Sequence, residues 1–271
     1  MDDLRRLLYQ MADDELIIGH RCSEWLGLGP HIEEDIAFAS IAQDEIGHAT
    51  AFYRLLQELG EGDADELAFG RPAAARQNAL FVERAHGEGS YLSNPNWDWA
   101  ALLWRHFFYD EFDAARLTIA AQSSYQPLAQ LAKKINREER YHRLHHQTWL
   151  KRLAQTAEGK RRLAAALPGV WAEVGGLFSM GEVTPSEFFP VTATSLWSVW
   201  ATSVAPQLQA WGLLDLVAST AVASASVVAA GLSLQLPAPD QDGRLGHHTA
   251  DLGALLATMS EVRNSAPGAS W

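Results

Sequence analysis

The stretch IAQDEIGHATAF (41–52) sets three ionisable side chains, Asp44, Glu45 and His48, inside what otherwise reads as a buried helix. Ile41, Phe52 and Leu55 carry its apolar side, and Glu45 and His48 fall between them. The same Glu-x-x-His spacing recurs at Glu139 and His142, again on an apolar side, with Ile135 and Trp149. Each turn is preceded, on the helix before it, by one carboxylate within that helix's own apolar stripe. Glu15 lies between Met11 and Ile18, and Glu111 lies between Phe107/Phe108 and Ala114/Ala115. Residues three apart on a helix sit side by side, so each turn aims a carboxylate and an imidazole at one point.

Four carboxylates and two imidazoles drawn from four helices are the ligand set of di-iron and di-manganese carboxylate proteins. Four glutamates balance the charge of two divalent ions. Without metal, each buried carboxylate would cost several kcal/mol or have to protonate. The expected metal ligands are therefore Glu15, Glu45, His48, Glu111, Glu139 and His142. Carboxylate and imidazole ligands suit two irons, a Mn/Fe pair or two manganese ions alike. Asp44 and Glu138 directly precede the two ligand glutamates and are candidates to hold the outer nitrogen of a metal-bound histidine; the alternative is a solvated helix-face acid. Tyr53 and Tyr141 read as ring packing. His145 and His146 are not read as ligands, although His146 continues the stripe from His142. Ser/His/Asp triads, Gly-rich phosphate loops and His-Glu-x-x-His are absent from the sequence.

The helical periodicity organises the chain into two pairs. Leu8, Met11, Ile18, Cys22 and Trp25 recur at three- and four-residue steps, and GLGPH (27–31) breaks the first helix. A second helix runs from Ile32 to about LGEGD (59–63). Residues 61–95 read as a long connection with a short helix around 73–84. Asn96 is the expected N-cap of a third helix reaching about Gln122, and a fourth runs from about Pro127 to Ala157. Short turns within each pair and a long crossover between pairs predict an all-α, ferritin-like four-helix bundle. The expected organisation is one domain over 1–271, with a bundle core of about 1–157 and a C-terminal helical extension of about 158–271. No segment demands a sheet. A helix is expected at 159–180, then a loop. The uncharged run 216–233 reads as a packed helix or subunit-contact surface. Its many Ser and Thr residues, without flanking basic or aromatic belts, argue against a membrane span. Thr249 or Asp251 is expected to cap a last helix reaching about Val262.

Charge and cysteine content narrow the function classes. A net charge of −12 disfavours wholesale binding of nucleic acid or anionic membrane. The single cysteine, Cys22, excludes an internal disulfide and any cysteine-built metal cage. The N-terminus lacks the basic-then-apolar pattern of a secretory signal, so a cytoplasmic protein is expected. Residues 133–162 carry ten basic against three acidic side chains. They read as a solvated helix face or as a dock for a phosphorylated ligand or acidic partner.

Several segments carry a family resemblance: RCSEWLG (21–27), GEGDADELAFGR (60–71), RHFFYDEFDAARL (105–117), REERYHRLHHQTWLKRL (137–153), GRLGHHTADLGALLATM (243–259) and the terminal Trp271. Together the chain resembles, over essentially its whole length, the C-type subunits of the bacterial phenylacetyl-CoA ring-epoxidase family. The resemblance implies a ferritin-like fold, an A-type partner whose di-iron site inserts an oxygen atom into the ring of an aryl-acyl-CoA, and a separate reductase. It also implies a hetero-oligomer, with a homo-oligomer as the alternative, and two irons as the cofactor. C-type subunits are usually structural and have lost most metal ligands, whereas this chain shows all six together. The expectation is thus a subunit of a multicomponent phenylacetyl-CoA epoxidase with its own dinuclear centre. The alternatives are a non-catalytic subunit supporting the A-type partner and a stand-alone ferritin-like di-metal oxidase. The basic stretch becomes a candidate for the CoA phosphates or the partner subunit.

Overall fold

The computed structural model describes residues 1–90, 93–220, 225–229, 232–236 and 241–266. Chain contacts divide it into two units, one made of residues 1–85 and 241–271 and the other of 86–240.

In the first unit, α1 (Asp2–Ser23) lies against α2 (Ile32–Glu58). Asp2 and Asp3 in the first turn of α1, and His20 and Arg21 in its last, complement the helix dipole. Gly19 is where the two backbones come closest: a Cβ there would stand 2.9 Å from Glu45 Cβ. After α2 the chain forms α3 (Ala64–Phe69), capped by Asp63, and the short α4 (Leu80–Glu83).

Buried charge holds this connection onto α1. Asp13 accepts hydrogen bonds from Tyr53 Oη at 2.5 Å and from the Gln77 N–H at 2.8 Å, and pairs with Arg71 and Arg76. Burial works against the Asp13 anion, but the two guanidiniums outweigh it and hold the carboxyl below its usual range. Burial and the Asp13 charge push the Tyr53 hydroxyl well up. The C-terminal segment is fastened in the same way. Arg244 grips Asp14 with two 2.8 Å bonds, and His248 Nδ1 lies 2.7 Å from Glu83. Helices α10 (Ala250–Met259) and α11 (Glu261–Ser265) follow. Thr249 occupies the N-cap position without a side-chain cap bond, and its N–H donates to Glu83.

In the second unit a hairpin, β1 (Gly87–Ser90) with β2 (Ser93–Trp97), precedes α5 (Trp99–Ala120). The sequence expectation of Asn96 as cap is corrected here: Asn96 lies in β2, and Asp98 caps α5 by accepting from Ala100 N–H at 2.7 Å. Helix α6 (Gln126–Leu153) starts with Pro127 in its first turn, where a missing N–H costs nothing. Next come α7 (Ala157–Leu177), capped by Thr156, α8 (Ala193–Trp211), opened by a Thr192/Ser195 capping box, and α9 (Leu214–Thr220). The core is aromatic: Trp104, Phe108, Trp171, Phe178, Trp197 and Trp200 are buried with ring centroids 4.8–6.4 Å apart.

The expected helix over 216–233 is also corrected. Helix α9 ends at Thr220, and β3 (Ala225–Ala229) pairs antiparallel with β4 (Leu232–Leu236). Leu232, Leu234 and Leu236 alternate with Ser233 and Gln235, a strand period, and Val227 and Val228 are β-branched. The rest of that run, and Trp271, lie outside the described residues. Among those described, no helix is long and apolar enough to cross a membrane.

Candidate metal centre

In the first unit, α1 presents Glu15 and α2 presents Glu45 and His48, all at most 3% exposed. His48 Nδ1 stands 3.5 Å from Glu45 Oε2 and 3.6 Å from Glu15 Oε2. One ligand atom from each of the three lies within 4.8 Å of the others. These separations are long for hydrogen bonds. They approach the spacing of ligand atoms around one ion, about 3 Å for bonds of about 2.1 Å. Two carboxylates and an imidazole, dry and converging, fit a divalent metal. Asp44, beside Glu45, is half-buried.

The second unit repeats the turn but not its surroundings. Glu139 and His142 on α6 are buried, with Glu139 Oε1 3.1 Å from His142 Nδ1. Glu111 does not fit the expected ligand role. Its Oε1 accepts from Arg143 Nε at 3.2 Å, Gln147 Nε2 at 2.7 Å and Gln207 Nε2 at 3.1 Å. Its Oε2 accepts from Arg143 Nη2 at 2.9 Å and Ser203 Oγ at 2.6 Å. Both oxygens are thus engaged and the charge is balanced by a guanidinium.

The α5–α6 register shows what faces the turn instead. Helices α5 and α6 run antiparallel, with Asp110 against His146, Glu111 against Arg143 and Thr118 against Asn136. His142 is four residues before His146, so its counterpart on α5 is four residues after Asp110, which is Ala114. Where α1 offers a glutamate to its Glu-x-x-His turn, α5 offers a buried methyl group.

Other sequence candidates are also resolved by position. Glu138 turns outward to Lys134 at 3.6 Å. Tyr141 is 75% exposed and packs no ring, whereas Tyr53 belongs to the Asp13 network. Most basic side chains of 133–162 are exposed, a solvated face, with Arg143 turned in to Glu111. The sequence reading passed over His106 and Asp110. They are one turn apart on α5 and gather with His146 into a second buried group that could hold a metal. The available signal was His106-x-x-x-Asp110, together with the position of His146 one turn past His142.

Two comparisons with known proteins bear on this arrangement. The chain is 29% identical over 277 residues to a protein of Escherichia coli (strain K12) described as the C-type subunit of 1,2-phenylacetyl-CoA epoxidase, with both chains covered in full. The family model described as phenylacetic acid catabolic protein matches residues 1–271, and its all-α, ferritin-like class agrees with the helices found here. Its length matched from end to end, the chain belongs to the phenylacetic acid catabolic protein family.

Proposed function

We propose that this chain is a subunit of a multicomponent 1,2-phenylacetyl-CoA epoxidase acting in phenylacetate catabolism in the cytoplasm, and that it holds a dinuclear metal centre, preferentially two irons. The observation that carries the reading is the dry convergence of Glu15, Glu45 and His48. Glu139 and His142 are the further ligands in this proposal, supported by their burial and by the repeated spacing. Glu111 is withdrawn from the set, since Arg143 already balances it.

Bound iron would supply activation of O₂ for epoxidation of an aryl-acyl-CoA ring, with electrons from a separate reductase. The chain's own residues do the rest. Glu15 and Glu45 lower the charge of the site, and His48 contributes a neutral nitrogen. The close approach of α1 to α2 at Gly19 keeps these groups dry, which strengthens each of their electrostatic interactions. Partners are the A-type subunit and the reductase.

A second reading is favoured by one specific observation, the saturated Glu111 facing away from a turn opposed by Ala114. On that reading the chain supports a catalytic A-type partner without turning over itself. Metal analysis by plasma mass spectrometry separates the two readings. Wild type grown with iron and manganese is compared with Glu45→Ala/Glu139→Ala. A loss of near two metal ions per chain in the variant supports the dinuclear centre. Equal metal content in the two proteins would overturn it and leave the supporting subunit.

A further inference from the structure

We propose that His106, Asp110 and His146 form a mononuclear site for a first-row divalent transition ion, built from residues the two Glu-x-x-His turns do not use. All three side chains are fully buried. Asp110 is placed between two imidazoles: its Oδ2 lies 2.6 Å from His146 Nδ1 and its Oδ1 lies 3.9 Å from His106 Nδ1. The two rings stack, with centroids 4.7 Å apart and planes 20° from parallel. Both Nδ1 atoms therefore turn toward one carboxylate, and the three ligand atoms lie within 4.8 Å of one another.

A tetrahedral ion with bonds of about 2.1 Å spaces its ligand atoms by about 3.4 Å. Reaching that spacing from 2.6 and 3.9 Å needs small rotations about the side-chain bonds rather than movement of either helix. Two imidazoles and a carboxylate are a donor set for iron, cobalt or zinc, softer than the oxygen cages that magnesium and calcium prefer.

The backbone explains why the group is rigid. His106 and Asp110 are four apart on α5 and so stack on one face, while His146 comes across from α6. The packing behind them is tight: Phe107 and Phe108 flank His106 in sequence and are buried, and the His145 ring meets His146 edge-on at 5.1 Å. A site with no solvent exposure cannot exchange substrate. Its ion would be taken up as the helices close and would join α5 to α6, so that metal binding contributes to folding. This role is independent of the proposed dinuclear centre, and either can fail without the other.

The test uses the full chain carrying Glu45→Gln and Glu139→Gln, stripped with chelator and titrated with Co(II). Glutamine keeps the volume of the replaced side chains while removing their charge. The expected result is one Co(II) per chain, with visible ligand-field bands and two imidazole nitrogens in the X-ray absorption shell. Adding His106→Gln should weaken binding at least tenfold, and Co(II) should raise the unfolding temperature of the first variant but not of the second. Absence of Co(II) binding by the first variant, or a shell with fewer than two imidazoles, overturns the proposal and leaves a buried His–Asp pair. Should the combined variant fail to fold, His106→Gln in the otherwise wild-type chain decides. Its metal content must fall by one ion, and an unchanged content overturns the site.

Discussion

The turns Glu45–His48 and Glu139–His142 share a spacing and a burial, yet they sit in different surroundings. The first faces a helix that brings Glu15 within 3.6 Å of its histidine. The second faces Ala114, while the nearest glutamate in sequence, Glu111, has turned to Arg143, Gln147, Ser203 and Gln207. Three-residue spacing fixes how two ligands stand on one helix and nothing more. The third ligand depends on the register of the opposing helix, which local sequence does not carry.

The largest effect should come from exchanging the charge on the two glutamates separately. Glu15→Gln is expected to weaken iron or manganese binding by at least about 100-fold, more than loss of a residue that merely supports a ligand. Folding of the metal-free chain should be little changed or improved, because a buried carboxylate has gone. Glu111→Gln should do the opposite. Metal content stays at the wild-type value, and urea unfolding shows a loss of about 1–3 kcal/mol as half-buried Arg143 loses its counter-ion. A loss of metal in Glu111→Gln would restore that residue to the ligand set and erase the contrast.

The same contrast explains what the sequence could and could not reveal. The periodicity of α1 picks out a buried face, and Glu15 sits on it. The stripe on α6 is equally clear, with Ile135, Glu139, His142 and His146 buried and Arg137, Arg140 and Leu144 exposed. In α5 every residue from Leu102 to Leu117 is buried. A helix hidden all round has no stripe to read, so the place of Glu111 among apolar neighbours carried no information about where it points. Asp110, one residue earlier, points to His146 instead. The two hairpins escaped for another reason. The first is a short run of polar and glycine residues with little apolar signal. The second was hidden by an uncharged composition whose Leu-Ser-Leu-Gln-Leu alternation is only five residues long. The helix pairs, the crossover and the family segments were legible because long periodic elements repeat their signal many times.

Ala114→Glu sharpens the comparison by giving α5 the carboxylate that α1 already has. In the metal-free chain the new group is buried beside Glu139 and His142 on the facing helix, and stability should fall by about 3 kcal/mol. Saturating iron(II) or manganese(II) should recover most of that loss and raise the metal bound per chain, read by thermal unfolding and metal analysis on the same sample. If added metal leaves the variant as unstable as before, Ala114 does not face the turn and the register argument fails.

The smallest effect distinguishes the two regions by pH. His20, in the last turn of α1, is held well below its ordinary value, at about 4. Burial is the main cause, and the guanidiniums of Arg76 and Arg21 add to it. Its pKa is depressed on folding, so the unfolded chain binds the proton more readily. The contribution to stability is fully present above pH 6.5 and declines as the pH falls from 6.5 toward 4. The size is roughly 2–3 kcal/mol over that window, at about 1.36 kcal/mol for each pH unit. Hydrogen exchange followed peptide by peptide in metal-free protein should therefore show α1 and α2 losing protection between about pH 6.5 and 4.5 before α5 and α6 do. His20→Gln, which cannot take up the proton, should remove most of that early loss. If the acid-sensitive step keeps its amplitude in His20→Gln, the step belongs to the carboxylates around Asp13 and Glu15, and protonation of the buried imidazole is not what loosens the first unit.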